Sequence, residues 1–158
     1  MSQVTAGMLM CRNASSALEF FLVHPGGPFF ARKDEGAWSI PKGMPDDAED
    51  LLLAAQREFV EETGITPTPP FYSLKSTKLK SGKTMHVWLF TGAWDPANGI
   101  VSNTFSLEWP PRSGKYKDVP EVDRAEWMSY DKAKEMINPH QAIFLDRACE
   151  ILPPVEPS

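Results

Sequence analysis

The most restrictive feature of this sequence is a short acidic cluster, formed by Glu58, Glu61 and Glu62 directly after Arg57. In a helix the three glutamates occupy positions i, i+3 and i+4, so their side chains crowd one face and repel one another. Hard divalent cations such as Mg²⁺ take oxygen ligands and are commonly held by carboxylates together with substrate phosphates. The cluster therefore predicts a site for a cation and an anionic phosphate ester, the plain alternative being a solvated helix face.

The surrounding residues predict that the cluster lies on a helix. Apolar side chains recur at helical spacing between Asp46 and Thr63. Asp46 with Glu49 resembles an N-terminal capping pair, and Gly64 suits the position just after a helix end. We therefore expect one helix to carry all three glutamates.

Apolar runs bounded by turn residues predict six strands, at residues 3–11, 18–24, 72–79, 84–94, 106–109 and 124–129. Loops are expected at 13–16, 24–28 and 110–117, and the turn Ser81–Gly82 joins the third and fourth strands. Two further helices are predicted, a short one at 132–137 and a longer one that begins at Pro139. Strands that precede and follow one helix, with helices at the end, indicate an α/β protein whose mixed sheet is flanked by helices.

The length of 158 residues predicts a single domain, which we place at 1–152, followed by a proline-rich tail at 153–158. The net charge of −5 argues against binding of a nucleic-acid polymer, whose affinity depends on neutralised phosphates. A small anionic substrate would need a cation between itself and such a protein.

Cys11 and Cys149 lack the spacing of a metal-binding or redox pair, so we interpret them as small apolar residues in a reducing compartment. The N-terminus has no basic region ahead of its short apolar run, and no stretch approaches the length of a membrane span. We therefore predict a cytoplasmic protein without a membrane partner, and we leave its oligomeric state open.

A fixed pattern surrounds the acidic cluster and consists of Gly43, Glu49, Arg57, Glu58, Phe59, Glu61, Glu62, Gly64 and Ile65. In residue type and spacing it resembles the signature of the Nudix (MutT-like) hydrolases. Trp38, Pro41 and Lys42 precede it much as a W-x-x-P-K-G run precedes it in family members that act on dinucleoside polyphosphates. The resemblance implies the family's α/β/α sandwich with a mixed central sheet.

The same resemblance implies a metal-dependent hydrolase that cleaves a pyrophosphate bond. Glu58, Glu61 and Glu62 match the positions that bind metal in the family, and the backbone carbonyl of Lys42 matches a further ligand. The expected cofactor is Mg²⁺, with Mn²⁺ as a possible substitute, because the cation neutralises the diphosphate and lowers the pKa of the attacking water.

The remaining motif residues are expected to support the site. Arg57 has a planar fork of donors that can hold carboxylates in position. Glu49 lies about half a helical circumference from Glu58, so we expect it to support the helix start rather than to bind metal. Gly43 and Gly64 complete the motif.

The general base is expected outside the motif. Several family members use a carboxylate from a loop that precedes a tryptophan-containing strand, and Glu121 occupies such a position ahead of Trp127. Glu121 is therefore the predicted base, with Glu126 and Glu108 as rivals.

Substrate contacts are expected from basic and aromatic side chains. Lys42, Arg112 and Lys115 are the predicted contacts of the outer phosphates. Possible stacking partners for a base are Phe29, Phe30, Tyr72, Trp109 and Tyr116.

These features favour hydrolysis of a dinucleoside polyphosphate or a nucleoside triphosphate. The alternatives within the enzyme class are an oxidised-nucleotide sanitising pyrophosphatase and a nucleotide-sugar or ADP-ribose pyrophosphatase. A nucleotide-binding module that does not cleave its ligand is the alternative from another class.

Overall fold

The computed structural model describes residues 3–14 and 17–151. Within these residues the strands are β1 Val4–Ala14, β2 Ala17–Pro25, β3 Lys42–Gly43, β4 Tyr72–Lys78, β5 Thr84–Thr91, β6 Thr104–Glu108, β7 Tyr116–Pro120 and β8 Val122–Ser129. The helices are α1 Leu51–Thr63, α2 Tyr130–Met136 and α3 Ile143–Ile151. The expected turn residues Ser15 and Ser16 and the expected tail at 153–158 lie outside the described residues.

A mixed sheet forms the centre of the fold. Its strand order is β4–β5–β1–β2–β8, and the short β3 also pairs with β1. Strand β1 runs parallel to β5, whereas β4–β5, β1–β2 and β2–β8 are antiparallel. Strands β6 and β7 form a separate antiparallel ribbon. The expected mixed sheet is confirmed, and the apolar strand β5 lies inside it, between β4 and β1.

Alternating side chains of the sheet divide the core between its two faces. On one face, Met8 and its neighbours pack against the apolar side of α1, which contributes Ala55 and Phe59. On the other face, Leu9 packs in a cluster to which α3 contributes Phe144. Helices therefore cover both faces, as the sequence predicts. Within the described residues, no helix combines the length and apolar character needed to cross a bilayer.

Helix α1 begins later than the sequence predicts. Its N-cap is Asp50, whose carboxylate accepts a hydrogen bond from the backbone N–H of Leu53 at 3.3 Å. The expected capping pair instead closes a turn before the helix, where the N–H of Asp46 donates to Glu49 Oε1 at 2.8 Å. The predicted end is confirmed, because Gly64 adopts φ 79° and follows the last helical residue.

Two other elements differ from the sequence predictions. Strand β7 occupies part of the expected loop at 110–117, and the sequence did not reveal it because of its five residues only Val119 is buried. The last helix starts at Ile143 rather than at Pro139, since Pro139–Gln141 form a 3₁₀ turn first. The remaining predicted strands and the short helix near 132–137 are confirmed within a few residues.

A buried amide holds the chain that leads into β3. Gln141 is almost fully buried, and its Oε1 accepts hydrogen bonds from the N–H of Ile40 at 2.9 Å and from Ser39 Oγ at 3.3 Å. The same segment is tied to β2, because Ser39 and Val23 exchange backbone hydrogen bonds at 2.8 and 2.9 Å. These contacts fix the position of Lys42 and Gly43, which follow directly.

We predict that Gln141→Leu lowers the free energy of unfolding by about 1–3 kcal/mol, because it leaves the buried N–H of Ile40 without an acceptor. Urea denaturation provides the measurement. Gln56→Leu is the matched control, since within the described part of the chain the Gln56 amide bonds only the carbonyl of Leu52 in its own helix. This variant should change stability by less than about 0.5 kcal/mol. Equal losses in the two variants would contradict a supporting role for Gln141.

Candidate active site

Three glutamates from two parts of the chain converge beside β3. Glu58 and Glu62 lie one helical turn apart on α1, and Glu121 is the single residue between β7 and β8. One carboxylate oxygen from each of the three lies within 4.8 Å of the other two. Glu121 is fixed through its backbone, since its N–H donates to the carbonyl of Asn103 and its carbonyl accepts from Gly26.

Burial makes ionisation of this carboxylate group unfavourable. Burial raises the pKa of Glu62 to about 8, with the charges of Glu121 and Glu58 acting in the same direction and the Lys42 ammonium acting against them. Burial also raises the pKa values of Glu58 and Glu121. At neutral pH the group therefore carries its full negative charge only when a further cation compensates it.

Arg57 joins the start of the motif to its end. Its guanidinium donates to both oxygens of Glu49 at 3.0 and 2.9 Å, to Glu58 at 2.9 Å, and to both oxygens of Glu61 at 3.2 Å. It also donates to the carbonyl of Met44 at 3.1 Å. The hydrogen bonds from Arg57 help lower the pKa of Glu49 to about 2. Arg57 thus contacts carboxylates at both ends of the motif, while the supporting roles expected of Arg57 and Glu49 stay predictions.

The backbone of strand β3 packs closely against the Glu58 carboxylate. A Cβ atom on Gly43 would lie 2.0 Å from the Glu58 carboxylate, so any larger residue would displace that side chain. Lys42 precedes it and lines the same space as Glu62 and Glu121. The close packing therefore leaves no room for a Cβ atom at position 43 unless the Glu58 carboxylate moves, and Lys42 places a positive charge beside the carboxylates.

The carboxylates open into a cavity of about 420 Å³. Lys42 and Met44, the neighbours of Gly43 in the chain, line it, and two aromatic side chains, Phe30 and Phe105, contribute to its wall. Phe30 was among the aromatic residues singled out in the sequence, whereas Phe105 was not. Phe105 was missed because it lies in the β6–β7 ribbon, which the sequence predicts only in part. A large apolar side chain in a mostly exposed strand indicates a contact with another part of the chain or with a ligand, and this was the signal that could have identified Phe105.

Other predicted site residues lie outside this group. Glu61 is bound to Arg57, and its carboxylate does not belong to the three that converge. Arg112 and Lys115 are exposed in the β6–β7 connection and are not among the residues that line the cavity. The role of Glu61 as a metal ligand and the roles of Arg112 and Lys115 as phosphate contacts stay predictions.

The rival candidates for the base are engaged elsewhere. Glu126 forms an ion pair with Lys132, and Glu108 accepts hydrogen bonds from the backbone N–H groups of Arg112 and Gly114. Only Glu121 of the three converges with Glu58 and Glu62.

The residues present fit a hard divalent cation. The converging ligands are all carboxylate oxygens, which suit Mg²⁺ or Mn²⁺, and the group includes neither the histidine nor the cysteine that zinc sites usually contain. The raised pKa values also indicate an unbalanced acidic site, which a cation would neutralise.

Sequence comparisons show which known proteins this chain is similar to. The chain is 31% identical over 116 residues to the mRNA-decapping protein g5R of African swine fever virus (isolate Pig/Kenya/KEN-50/1950), an alignment that covers 69% of this chain and 43% of that protein. It is 44% identical over 50 residues to the RNA pyrophosphohydrolase of Caulobacter vibrioides (strain NA1000 / CB15N), covering 28% of this chain and 29% of that protein. The chain thus spans less than half the length of these curated relatives.

Among solved structures, the binary complex of the C. elegans Ap4A hydrolase superimposes with a TM-score of 0.64 at 20% identity. The match covers 94% of this chain and 97% of that one, and it confirms the predicted α/β/α sandwich with a mixed central sheet. The family model of the NUDIX domain matches residues 1–148, and the chain therefore belongs to the Nudix family.

Proposed function

We propose that this chain hydrolyses a pyrophosphate bond in a nucleoside diphosphate linked to another moiety, in a reaction that depends on Mg²⁺, with Mn²⁺ as a substitute. The observation that supports this function is the convergence of Glu58, Glu62 and Glu121 on one cavity that also receives Lys42. The favoured substrates are a dinucleoside polyphosphate, in keeping with the W-x-x-P-K-G run, and a nucleoside triphosphate.

Glu58 and Glu62 are the proposed ligands of the cation, together with Glu61 and the backbone carbonyl of Lys42, which directly precedes the motif. A bound divalent cation supplies positive charge that neutralises diphosphate oxygens and lowers the pKa of water. Arg57 keeps Glu58 in place through its hydrogen bond of 2.9 Å. Arg57 is thus a positioning residue, and it is not among the residues that line the cavity.

The other cavity residues are suited to hold the two ends of a nucleotide. The Lys42 ammonium lies beside the carboxylates and provides the positive charge that an outer phosphate needs. Phe30 and Phe105 line the same cavity and offer aromatic surfaces for a base. Arg112 and Lys115 stay proposed phosphate contacts from the β6–β7 connection.

Glu121 is the proposed general base. Burial and the negative charge of Glu61 raise the pKa of its carboxylate, which makes it a better proton acceptor near neutral pH. It lies within reach of Glu58 and Glu62 and therefore beside the site where the phosphorus atom would bind. In the proposed reaction the attacking water transfers a proton to this carboxylate as its oxygen bonds to phosphorus. The bond from that phosphorus to the bridging oxygen breaks, and the other part of the substrate leaves with this oxygen as a phosphate or a nucleotide.

A second candidate substrate is the 5′ end of an RNA, because both curated relatives have names that refer to RNA. The chemistry would be the same, since such an end also presents a phosphoanhydride. We also propose the cytoplasm as the location, because Cys11 and Cys149 are free thiols in this structure and such thiols persist in reducing compartments.

We predict that Glu62→Gln lowers turnover by at least about 100-fold while the fold is kept, because the amide has the same shape but no negative charge for a cation. The assay measures Mg²⁺-dependent phosphate release, with a coupled phosphatase, from nucleoside triphosphates, dinucleoside polyphosphates, nucleotide sugars and triphosphorylated RNA. Glu150→Gln on α3 is the control and should retain normal turnover. A wild-type protein that binds these nucleotides but hydrolyses none would favour a binding module instead.

We predict that the melting temperature of the metal-free protein falls as the pH rises from about 5 to about 8. The pKa of Glu62 is raised from 4.5 to about 8 in the fold, so in this range the folded protein retains a proton that the unfolded chain has released. The stabilisation due to Glu62 is present at low pH and is lost as the pH rises. Scanning calorimetry in EDTA should show this fall, which Glu62→Gln should reduce. Millimolar Mg²⁺ should raise the melting temperature most at high pH, and no effect of Mg²⁺ at any pH would contradict a preformed site.

We predict that Glu121→Gln lowers kcat by about 10²–10⁴ with little change in KM, because the lost proton acceptor acts in the transition state. Higher pH should partly restore the rate, since hydroxide then forms without the carboxylate. Glu108→Gln and Glu126→Gln are matched controls, each removing one carboxylate that is engaged outside the site. A larger kcat defect in either control would show that the base is misassigned.

A further inference from the structure

The β4–β5 hairpin has a charge distribution unlike the rest of the chain. The sequence between Glu62 and Asp95 contains no aspartate or glutamate, yet it includes four lysines, Lys75, Lys78, Lys80 and Lys83. The whole chain, in contrast, carries 21 acidic against 16 basic side chains. The hairpin is thus a local positive region on an acidic protein.

These lysines are available to an external anion. Lys75, Lys78 and Lys80 are exposed, and Lys83 is half-buried. Within residues 3–14 and 17–151, none of the four forms a salt bridge with an acidic side chain. Their charges are therefore not neutralised by such pairs. This series of lysines along the hairpin, called the stripe below, can attract a polyanion.

A pair of parallel rings lies on the same hairpin. His86 and Trp88 stack with ring centroids 4.1 Å apart and an interplanar angle of 1°, and both are half-buried. The hydrogen bond between His86 Nε2 and Ser73 Oγ, at 2.9 Å, fixes the imidazole. Burial lowers the pKa of His86, so the ring is uncharged at neutral pH and offers an aromatic face. Stacked rings at a surface can extend a stack of nucleic-acid bases.

The register of the hairpin brings the stripe and the stack together. Lys78 pairs with Thr84, and Ser76 pairs with His86. Because alternate residues of a strand share a face, Thr84, His86 and Trp88 lie on one side of the sheet, and Lys78 shares it with its partner Thr84. A nucleic-acid chain whose phosphates contact the lysines can therefore place its bases on the rings of His86 and Trp88.

The hairpin also reaches the active-site cavity. Lys83 Nζ lies 3.9 Å from Met44 Sδ, and Met44 lines the cavity that contains Glu58 and Glu62. A chain that leaves the cavity past Met44 would therefore meet Lys83 first and then the remaining lysines.

We propose that the β4–β5 hairpin binds a single-stranded polynucleotide, with Lys78, Lys80 and Lys83 contacting phosphates and His86–Trp88 stacking on a base. The placement of the strand's 5′ end in the cavity rests on the proposed function, whereas binding to the hairpin does not. An acidic peptide would satisfy the lysines but would leave the parallel rings unused, so the polynucleotide is the better match. The proposal departs from the expectation of no nucleic-acid polymer, which rested on the net charge alone.

The test measures fluorescence anisotropy of a 3′-labelled, 5′-triphosphorylated RNA of about 12 nucleotides, long enough to span the hairpin. Titrations are performed in EDTA, so that binding is measured without hydrolysis. Lys78→Ala/Lys80→Ala should weaken binding about tenfold and reduce the slope of log affinity against log salt by about 0.7 per lost contact. Lys132→Ala/Lys134→Ala on α2 removes the same charge elsewhere and should leave the affinity unchanged.

His86→Ala provides a second variant that keeps every lysine. It should weaken RNA binding without changing the salt slope, because it removes a stacking surface and no phosphate contact. A single-stranded DNA of the same sequence distinguishes a general polynucleotide surface from one that requires RNA. Displacement of the RNA by polyglutamate at equal charge, or equal affinities of the α2 and hairpin variants, would overturn the proposal.

Hydrolysis assays separate this proposal from the proposed function. Lys78→Ala/Lys80→Ala should lower kcat/KM for the RNA and leave kcat/KM for a dinucleoside polyphosphate unchanged. If the protein hydrolyses nucleotides but its hairpin variants bind RNA normally, the hairpin surface is refuted and the proposed function stands. If RNA binding depends on the hairpin but the protein hydrolyses no substrate, the proposed function is refuted and the hairpin surface stands.

Discussion

The electrostatic conflict between Glu58, Glu62 and Glu121 is the constraint on which the rest of the site depends. Burial and mutual repulsion both oppose ionisation of these carboxylates. Arg57 relieves the conflict only in part, because it contacts Glu58 but neither Glu62 nor Glu121. The fold thus holds acidic groups together where ionisation is unfavourable, and binding of a positively charged ligand is favoured because it relieves their repulsion.

The hydrophobic core supplies the rigidity that this arrangement requires. On α1, Ala55 and Phe59 are fully buried against the sheet, and Glu58 and Glu62 lie at the margin of that apolar stripe. The helix cannot rotate to expose the glutamates without withdrawing Phe59 from the core, where loss of an aromatic side chain costs about 3–5 kcal/mol. Gly43 then allows β3 to approach the Glu58 carboxylate more closely than any other residue would. Packing energy from the core therefore keeps the charged side chains together.

The sequence predicted the central features of the site because they follow from local spacing. Glu58 and Glu62 differ by four residues, or about 40° around a helix, and so face the same way. Glu61 lies about 100° from Glu62, which is why it turns toward Arg57 and away from the converging group. Long-range placement was harder to predict: Glu121 was selected by its position ahead of Trp127, whereas Phe105 was missed. Its position depends on the pairing of β6 with β7, and the exposed, polar β7 shows little periodicity.

Net charge was a poor guide to the surface for a related reason. Exposed charges farther apart than about 10 Å are largely screened at ordinary ionic strength, so an approaching anion responds to the nearest side chains rather than to the sum of −5. In this chain the acidic residues that line the cavity are Glu58, Glu62 and Glu121, which a cation would neutralise, while the charged side chains of the adjoining hairpin are all lysines. A divalent cation together with Lys42 would balance the charge of these three carboxylates, so that the lysines of the hairpin are the nearest uncompensated charges to an anion beyond Met44. An acidic protein can in this way present a continuous anion-binding surface, because the two parts of that surface are separated in sequence and adjacent in space.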